Sequence, residues 1–168
     1  MNKPLVIFEL ANNHMGDVSH AIDIIKKFHK ISSKFKNKID FAFKFQFRDL
    51  DTYIEKKFVN SDHKGVRRFL DTKLSENSWK KIISNCKRFG FKTICTPFDE
   101  ISVDKIIKNK FEYLKIASCS VNEWPLLQHI FKKCKNQKVI SSLGGATEQQ
   151  IRNIISFFSK KKIKIKYL

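Results

Sequence analysis

The stretch IDFAFKFQF, residues 39–47, alternates without a break. Ile39, Phe41, Phe43, Phe45 and Phe47 fall on one face, and Ala42, Lys44 and Gln46 fall on the other. A period of two belongs to a β-strand, not to a helix. The aromatic face reads as core. The opposite face carries an ammonium group, which is costly to bury unless it meets an anion. The pattern therefore predicts a strand covered by helices on its Phe side, with polar chemistry on its Lys44 side.

Working outward, the same unit recurs. LVIFEL (5–10) is a preceding strand, and Ala21, Ile24, Ile25, Phe28 and Ile31 follow at helical spacing. Beyond residue 47 comes a long connection to about Lys73, too long for a bland linker. Trp79, Ile82, Ile83, Cys86 and Phe89 then mark a helix with Ser75 as cap and Gly90 as stop. FKTICT (91–96) is a third strand, and SVDKIIKNK (102–110) a short helix behind a Ser cap. EYLKIAS (112–118) is a fourth strand. Pro125 opens a helix through Leu126, Leu127, Ile130, Phe131 and Cys134. KVISS (138–142) is a fifth strand, and Thr147 with Gln150 has capping-box spacing before Ile151, Ile154, Ile155 and Phe158. KIKYL (164–168), preceded by Ile163, begins a sixth strand.

Repeated βα units imply a parallel sheet with helices outside it, either doubly wound or a (β/α)8 TIM barrel. No GxGxxG follows the first strand, which weighs against a dinucleotide fold.

In both architectures ligands bind at the carboxyl ends of the strands. Those ends carry Glu9 with Asn12, Asn13 and His14; Lys44 and Gln46; Thr96 with Phe98 and Asp99; Lys115 and Ser118; and Ser141, Ser142, Gly144 and Gly145. Lys44 and Lys115 with these hydroxyls suit a small ligand carrying carboxylate or phosphate. Glu9 has two roles open, as the ion-pair partner of a Lys or as a general acid or base. Each residue also has a purely structural reading. The lysines could snorkel outward. Thr96, Ser118 and Ser142 could be turn hydroxyls, His14 could cap the first loop, and Asp99 could cap a helix. His20, His29, His63 and His129 read as surface residues.

The charge is strongly basic, with 34 Lys+Arg against 16 Asp+Glu and a net +18. A nucleic-acid binder would have this charge, but it would gather it into a stripe with a recognition motif. Here the lysines are scattered over helix faces, and Lys, Ile, Asn and Phe are all abundant together, as compositional drift produces. The one dense basic run is Lys160–Lys166. Neither nucleic acid nor membrane is expected as a partner. Cys86, Cys95, Cys119 and Cys134 form no CxxC pair and have no zinc-ligand spacing. There is no signal peptide and no apolar run of spanning length, so the expected location is cytoplasmic.

FELANNHMGD (8–17), KFQ (44–46), CTPFDE (95–100), KIAS (115–118) and ISSLGGA (140–146), taken in order, resemble the sialic acid synthase family. Its members make N-acetylneuraminate, legionaminate or pseudaminate from phosphoenolpyruvate and an amino sugar. The resemblance implies a (β/α)8 barrel, often followed by a small antifreeze-like domain. It implies that Glu9 lies beside the phosphoenolpyruvate and the attacking water. Lys44, Gln46, Thr96, Lys115, Ser118 and Ser142 would surround the carboxylate and phosphate, and Asn13 and His14, the NH pair of the first loop, with Phe98 and Asp99 of the TPF segment, would also bind substrate. It also implies a divalent metal, manganese or magnesium, whose two His ligands lie on later strands with no counterpart here.

A barrel needs eight strands and typically about 250 residues. This chain holds about five βα units and the start of strand six. The expectation is a partial barrel domain over 1–168, without the last strands or the antifreeze-like domain and inactive alone. A homo-oligomer or a complementing C-terminal fragment would complete it. Leu143 replaces a common Thr, and Ser120 stands where many members carry a sugar-binding Glu, which leaves the amino sugar undefined.

Overall fold

The computed structural model describes residues 3–160, 163 and 165–168. Lys161, Lys162 and Lys164, within the basic run and at the start of the sixth predicted strand, lie outside the described residues. The chain folds as two compact units, one of residues 1–46 and 50–93, the other of residues 47–49 and 94–168.

In the first unit, strand β1 (Leu5–Glu9) pairs in parallel with β2 (Asp40–Phe47), with Phe8 opposite Phe43 and Glu9 opposite Lys44. Helix α1 (Val18–Ser32) connects them and starts at Asp17, whose carboxylate accepts the N–H groups of Ser19 and His20. It lays Phe28 on the Phe side of the strands, 4.5 Å from the Phe8 ring and 5.7 Å from Phe43. Phe91 closes this aromatic cluster at 4.8 Å from Phe43. The expected inward position of Ile31 does not hold, since it is 64% exposed. Ser32, in the same last turn, is buried at 3%, so the turn is covered and Ile31 lies on its outer side.

The long connection is structured. It forms α2 (Leu50–Tyr53), a 3₁₀ turn at Lys56–Phe58 and α3 (Lys64–Asp71). Helix α4 (Glu76–Arg88) has the predicted Ser75 cap, which accepts the Ser78 N–H at 3.1 Å. It stops at Gly90, whose φ of +79° is costly for any residue with a Cβ.

In the second unit, β3 (Lys92–Pro97, counted from Ile94), β4 (Tyr113–Ile116), β5 (Lys138–Ser141) and β6 (Ile165–Tyr167) pair in parallel, with Cys95 opposite Leu114, Ile116 opposite Ser141, and Ser141 opposite Tyr167. Helices α5 (Glu100–Lys108), α6 (Trp124–Lys133) and α7 (Glu148–Ser159) alternate with them. Leu114, Ile116, Leu127, Ile130, Ile154 and Phe158 are fully buried. Pro125 sits in the first turn of α6, and Thr147 with Gln150 forms the predicted capping box of α7.

Two expectations are corrected here. Helix α5 starts two residues before Ser102, because the Asp99 carboxylate accepts the Ser102 N–H and caps the helix. The fourth strand stops at Ile116, and Ser118–Ser120 turn instead into a 3₁₀ helix. Within each unit the strands pair in sequence order, β1-β2 in the first and β3-β4-β5-β6 in the second, the topology of successive βα units.

Candidate active site

The first unit carries a charge pair at the carboxyl ends of its two strands. Glu9 and Lys44 are in register, so their side chains leave the same face, and they form an ion pair. That face is the one opposite α1, because Phe8 and Phe43 occupy the helix-facing side. Lys44 is mostly buried, with 15% of its side chain exposed, while Glu9 is more open at 43%. Gln46 is two residues further along β2 on the same face and half-buried. The Lys44 carbonyl accepts from the Leu10 and Ala11 N–H groups, which keeps the chain after Glu9 against β2.

The loop that follows is folded tightly. Asn13 is exposed; its amide donates to the Glu9 carbonyl at 3.3 Å and its N–H to the Leu10 carbonyl at 2.8 Å. His14 is buried, its Nδ1 accepts the Gly16 N–H at 3.1 Å, and its ring stands edge-on to Trp79 at 5.1 Å. Burial first, and the charge of His20 second, push its pKa below the ordinary imidazole value. In this loop the imidazole is a buried acceptor that braces the turn at Gly16.

The second unit carries a hydroxyl and a lysine in the same kind of place. Thr96 is 2% exposed, and its hydroxyl has no hydrogen-bond partner among the described residues. The register Cys95–Leu114 puts Thr96 on the same face as Lys115, which is half-buried. Lys115 is opposite Ile140, so Ser142, two residues on, continues that face beyond β5. The Ser142 N–H donates to the Ile116 carbonyl at 3.1 Å. Ser118 is exposed, and a Cβ placed on Gly144 would lie 3.9 Å from its Cβ, so the β4 and β5 loops meet there. Asp99 is differently engaged: Oδ1 accepts from Ser102 N–H at 2.6 Å and Oδ2 from Asp49 N–H at 2.7 Å. It serves as a cap tying two loops. The Phe98 ring lies 3.8 Å under the Arg48 guanidinium.

Sequence reasoning passed over Arg48 and Thr72. The first was legible as the residue directly after the alternating strand. The second carried no local signal, because its contact is with a loop sixty residues away. His29 and His129 were expected at the surface and are half-buried: His29 packs 5.0 Å from the Phe89 ring, and His129 bonds Asp104 at 3.1 Å. Cys86 and Cys134 are buried thiols, as their helix positions required. Among the described residues there is no group of three or more His, Cys, Asp and Glu side chains that could hold a metal ion. No helix among the described residues is long and apolar enough to cross a membrane.

Successive βα units with polar residues at the strand ends define a chain of the (β/α)8 barrel lineage. Comparison with known proteins narrows this. The model of the NeuB family matches residues 30–167, and the chain belongs to that family. It is 28% identical to the N,N'-diacetyllegionaminic acid synthase of Campylobacter jejuni, over 95% of this chain and 48% of the relative. Among solved structures it is 42% identical, at a TM-score of 0.91, to a putative spore coat polysaccharide biosynthesis protein E from Chromobacterium violaceum, covering 98% of this chain and 48% of that one. It also shares the fold of the N-acetylneuraminic acid synthetase of Leptospira borgpetersenii, at 23% identity and a TM-score of 0.81, covering 99% of this chain and 53% of that one. The chain thus spans about half the length of these relatives.

Proposed function

We propose that the chain is the phosphoenolpyruvate-binding part of a nonulosonic acid synthase, which condenses phosphoenolpyruvate with an N-acetylated amino sugar. In this reaction C3 of phosphoenolpyruvate attacks the sugar aldehyde carbon and a C–C bond forms. Water adds at C2, and the C2–O bond to phosphate breaks, leaving a 2-keto acid and inorganic phosphate. The work required of the protein is to hold a small trianion, orient it, and handle the proton of the water.

The observation that carries this reading is the Glu9–Lys44 pair. A strand that only packs has no use for a mostly buried ammonium group at its carboxyl end. An anion-binding site uses the ammonium to hold carboxylate or phosphate and the neighbouring carboxylate to take the proton of the attacking water. In the second unit, Lys115, Thr96, Ser118 and Ser142 would offer a cation and hydroxyl donors of the kind that hold carboxylate or phosphate. The buried Thr96 hydroxyl, without a hydrogen-bond partner among the described residues, supports that role. Gln46 and Asn13 would supply amide donors. His14 and Asp99 would hold loops. A divalent cation, manganese or magnesium, would belong to the complete synthase and be held by other residues.

Calorimetric titration of phosphoenolpyruvate into the purified 168-residue chain tests the reading. Saturable binding that disappears in Lys44→Ala is the expected result. A folded chain that takes up no phosphoenolpyruvate refutes it.

A further inference from the structure

The β1–α1 loop holds three residues in the left-handed region, Ala11 at φ 40°, Met15 at 52° and Gly16 at 75°. Ala and Met rarely adopt this conformation, and it persists only where the surroundings impose it. Those surroundings are the end of α3 and the start of the segment after it. The Asn12 amide donates to the Thr72 hydroxyl at 2.6 Å, and that hydroxyl donates in turn to the Arg68 carbonyl at 2.6 Å. Thr72 is 7% exposed, so water cannot readily replace either bond. A Cβ on Gly16 would lie 2.8 Å from the Asp71 carbonyl oxygen, so the loop is pressed against the same turn. Glu9 precedes the segment fixed in this way, and Asn13 lies within it.

We propose that Thr72 is a positioning residue. Through Asn12 it fixes the strained loop and with it the placing of Asn13 and the carboxyl end of β1. Its consequence for ligand binding rests on the phosphoenolpyruvate reading above. The β2–α4 connection is then the seat of the loop that follows Glu9.

The test combines hydrogen exchange with calorimetry on the full chain, for Thr72→Val and Thr72→Ser. Valine keeps the volume and loses both hydrogen bonds; serine keeps both. In Thr72→Val the amides of residues 11–17 should exchange at least about tenfold faster while those of α4 stay unchanged, as loss of two hydrogen bonds of modest net strength predicts. Phosphoenolpyruvate should bind several-fold more weakly, and Thr72→Ser should restore both readouts. Unchanged loop exchange in Thr72→Val overturns the proposal. So does a loosened loop with undiminished phosphoenolpyruvate affinity. A wild-type chain that binds no phosphoenolpyruvate, with the loop still loosened by Thr72→Val and rescued by Thr72→Ser, sinks the functional reading and retains Thr72 as the anchor.

Discussion

Replacing Glu9 by glutamine should destabilise the chain more than replacing Lys44 by methionine. The two side chains are unequally buried, 43% exposed for Glu9 and 15% for Lys44. Glu9→Gln keeps the shape and leaves an ammonium group in a poorly hydrated place. Breaking a fully buried pair this way costs about 3–5 kcal/mol. The exposure of Glu9 lets water replace part of the lost field, so about 1–2 kcal/mol is expected. Lys44→Met removes the buried charge itself and keeps most of the stem. The Glu9 carboxylate is open enough to stay hydrated, so this change should fall within about 0.5 kcal/mol of neutral. The double variant should match Lys44→Met alone, giving a coupling of about 1 kcal/mol. Urea unfolding at pH 7 and low salt measures all four corners of the cycle. Each kcal/mol corresponds to about 2–4 °C in Tm for a chain of this size. Equal costs for the two single variants would refute the reasoning, because the pair would then behave as an ordinary surface pair.

Burial holds the pKa of His14 below its unfolded value of 6.5, so the native state favours the neutral ring. Its contribution should be complete above about pH 6.5 and decline as pH falls through the lower native value. His14→Asn should flatten that slope, and an unchanged slope would show that another group titrates. Phe43→Ala removes a ring 1% exposed and packed on Phe8, Phe28 and Phe91, and should cost about 3–5 kcal/mol in chemical denaturation. A loss under about 1 kcal/mol would mean that the aromatic cluster is not tightly packed. Thr147→Ala removes the acceptor of the Gln150 N–H and should cost about 1 kcal/mol, with Thr147→Ser restoring it. Equal loss in the serine variant would remove the cap from the explanation.

The rhythm of strands and helices was legible because each element's signal is local. Strict alternation at 39–47, the Ser75 cap, the Gly90 stop and the Thr147–Gln150 box are all set by residues within a few positions of one another. The placing of Lys44 on the face away from the aromatic side was likewise readable, since a period of two assigns every residue of a strand to a face. The Asp99 cap was harder to read. Ser102 and Asp99 are both good caps, and the choice fell to Asp99 because its second oxygen also satisfies the Asp49 N–H, fifty residues away in sequence.

The sequence by itself determined the class of fold, the family and the residue types at each strand end. Tertiary structure alone decided which partners those residues meet. Glu9 meets Lys44 through strand register, His14 packs edge-on to Trp79 and accepts the Gly16 N–H, and the buried Thr96 hydroxyl has no partner among the described residues. The reason is that hydrogen-bond satisfaction and desolvation depend on neighbours in space. Those neighbours come from segments tens of residues apart, and no local pattern encodes them.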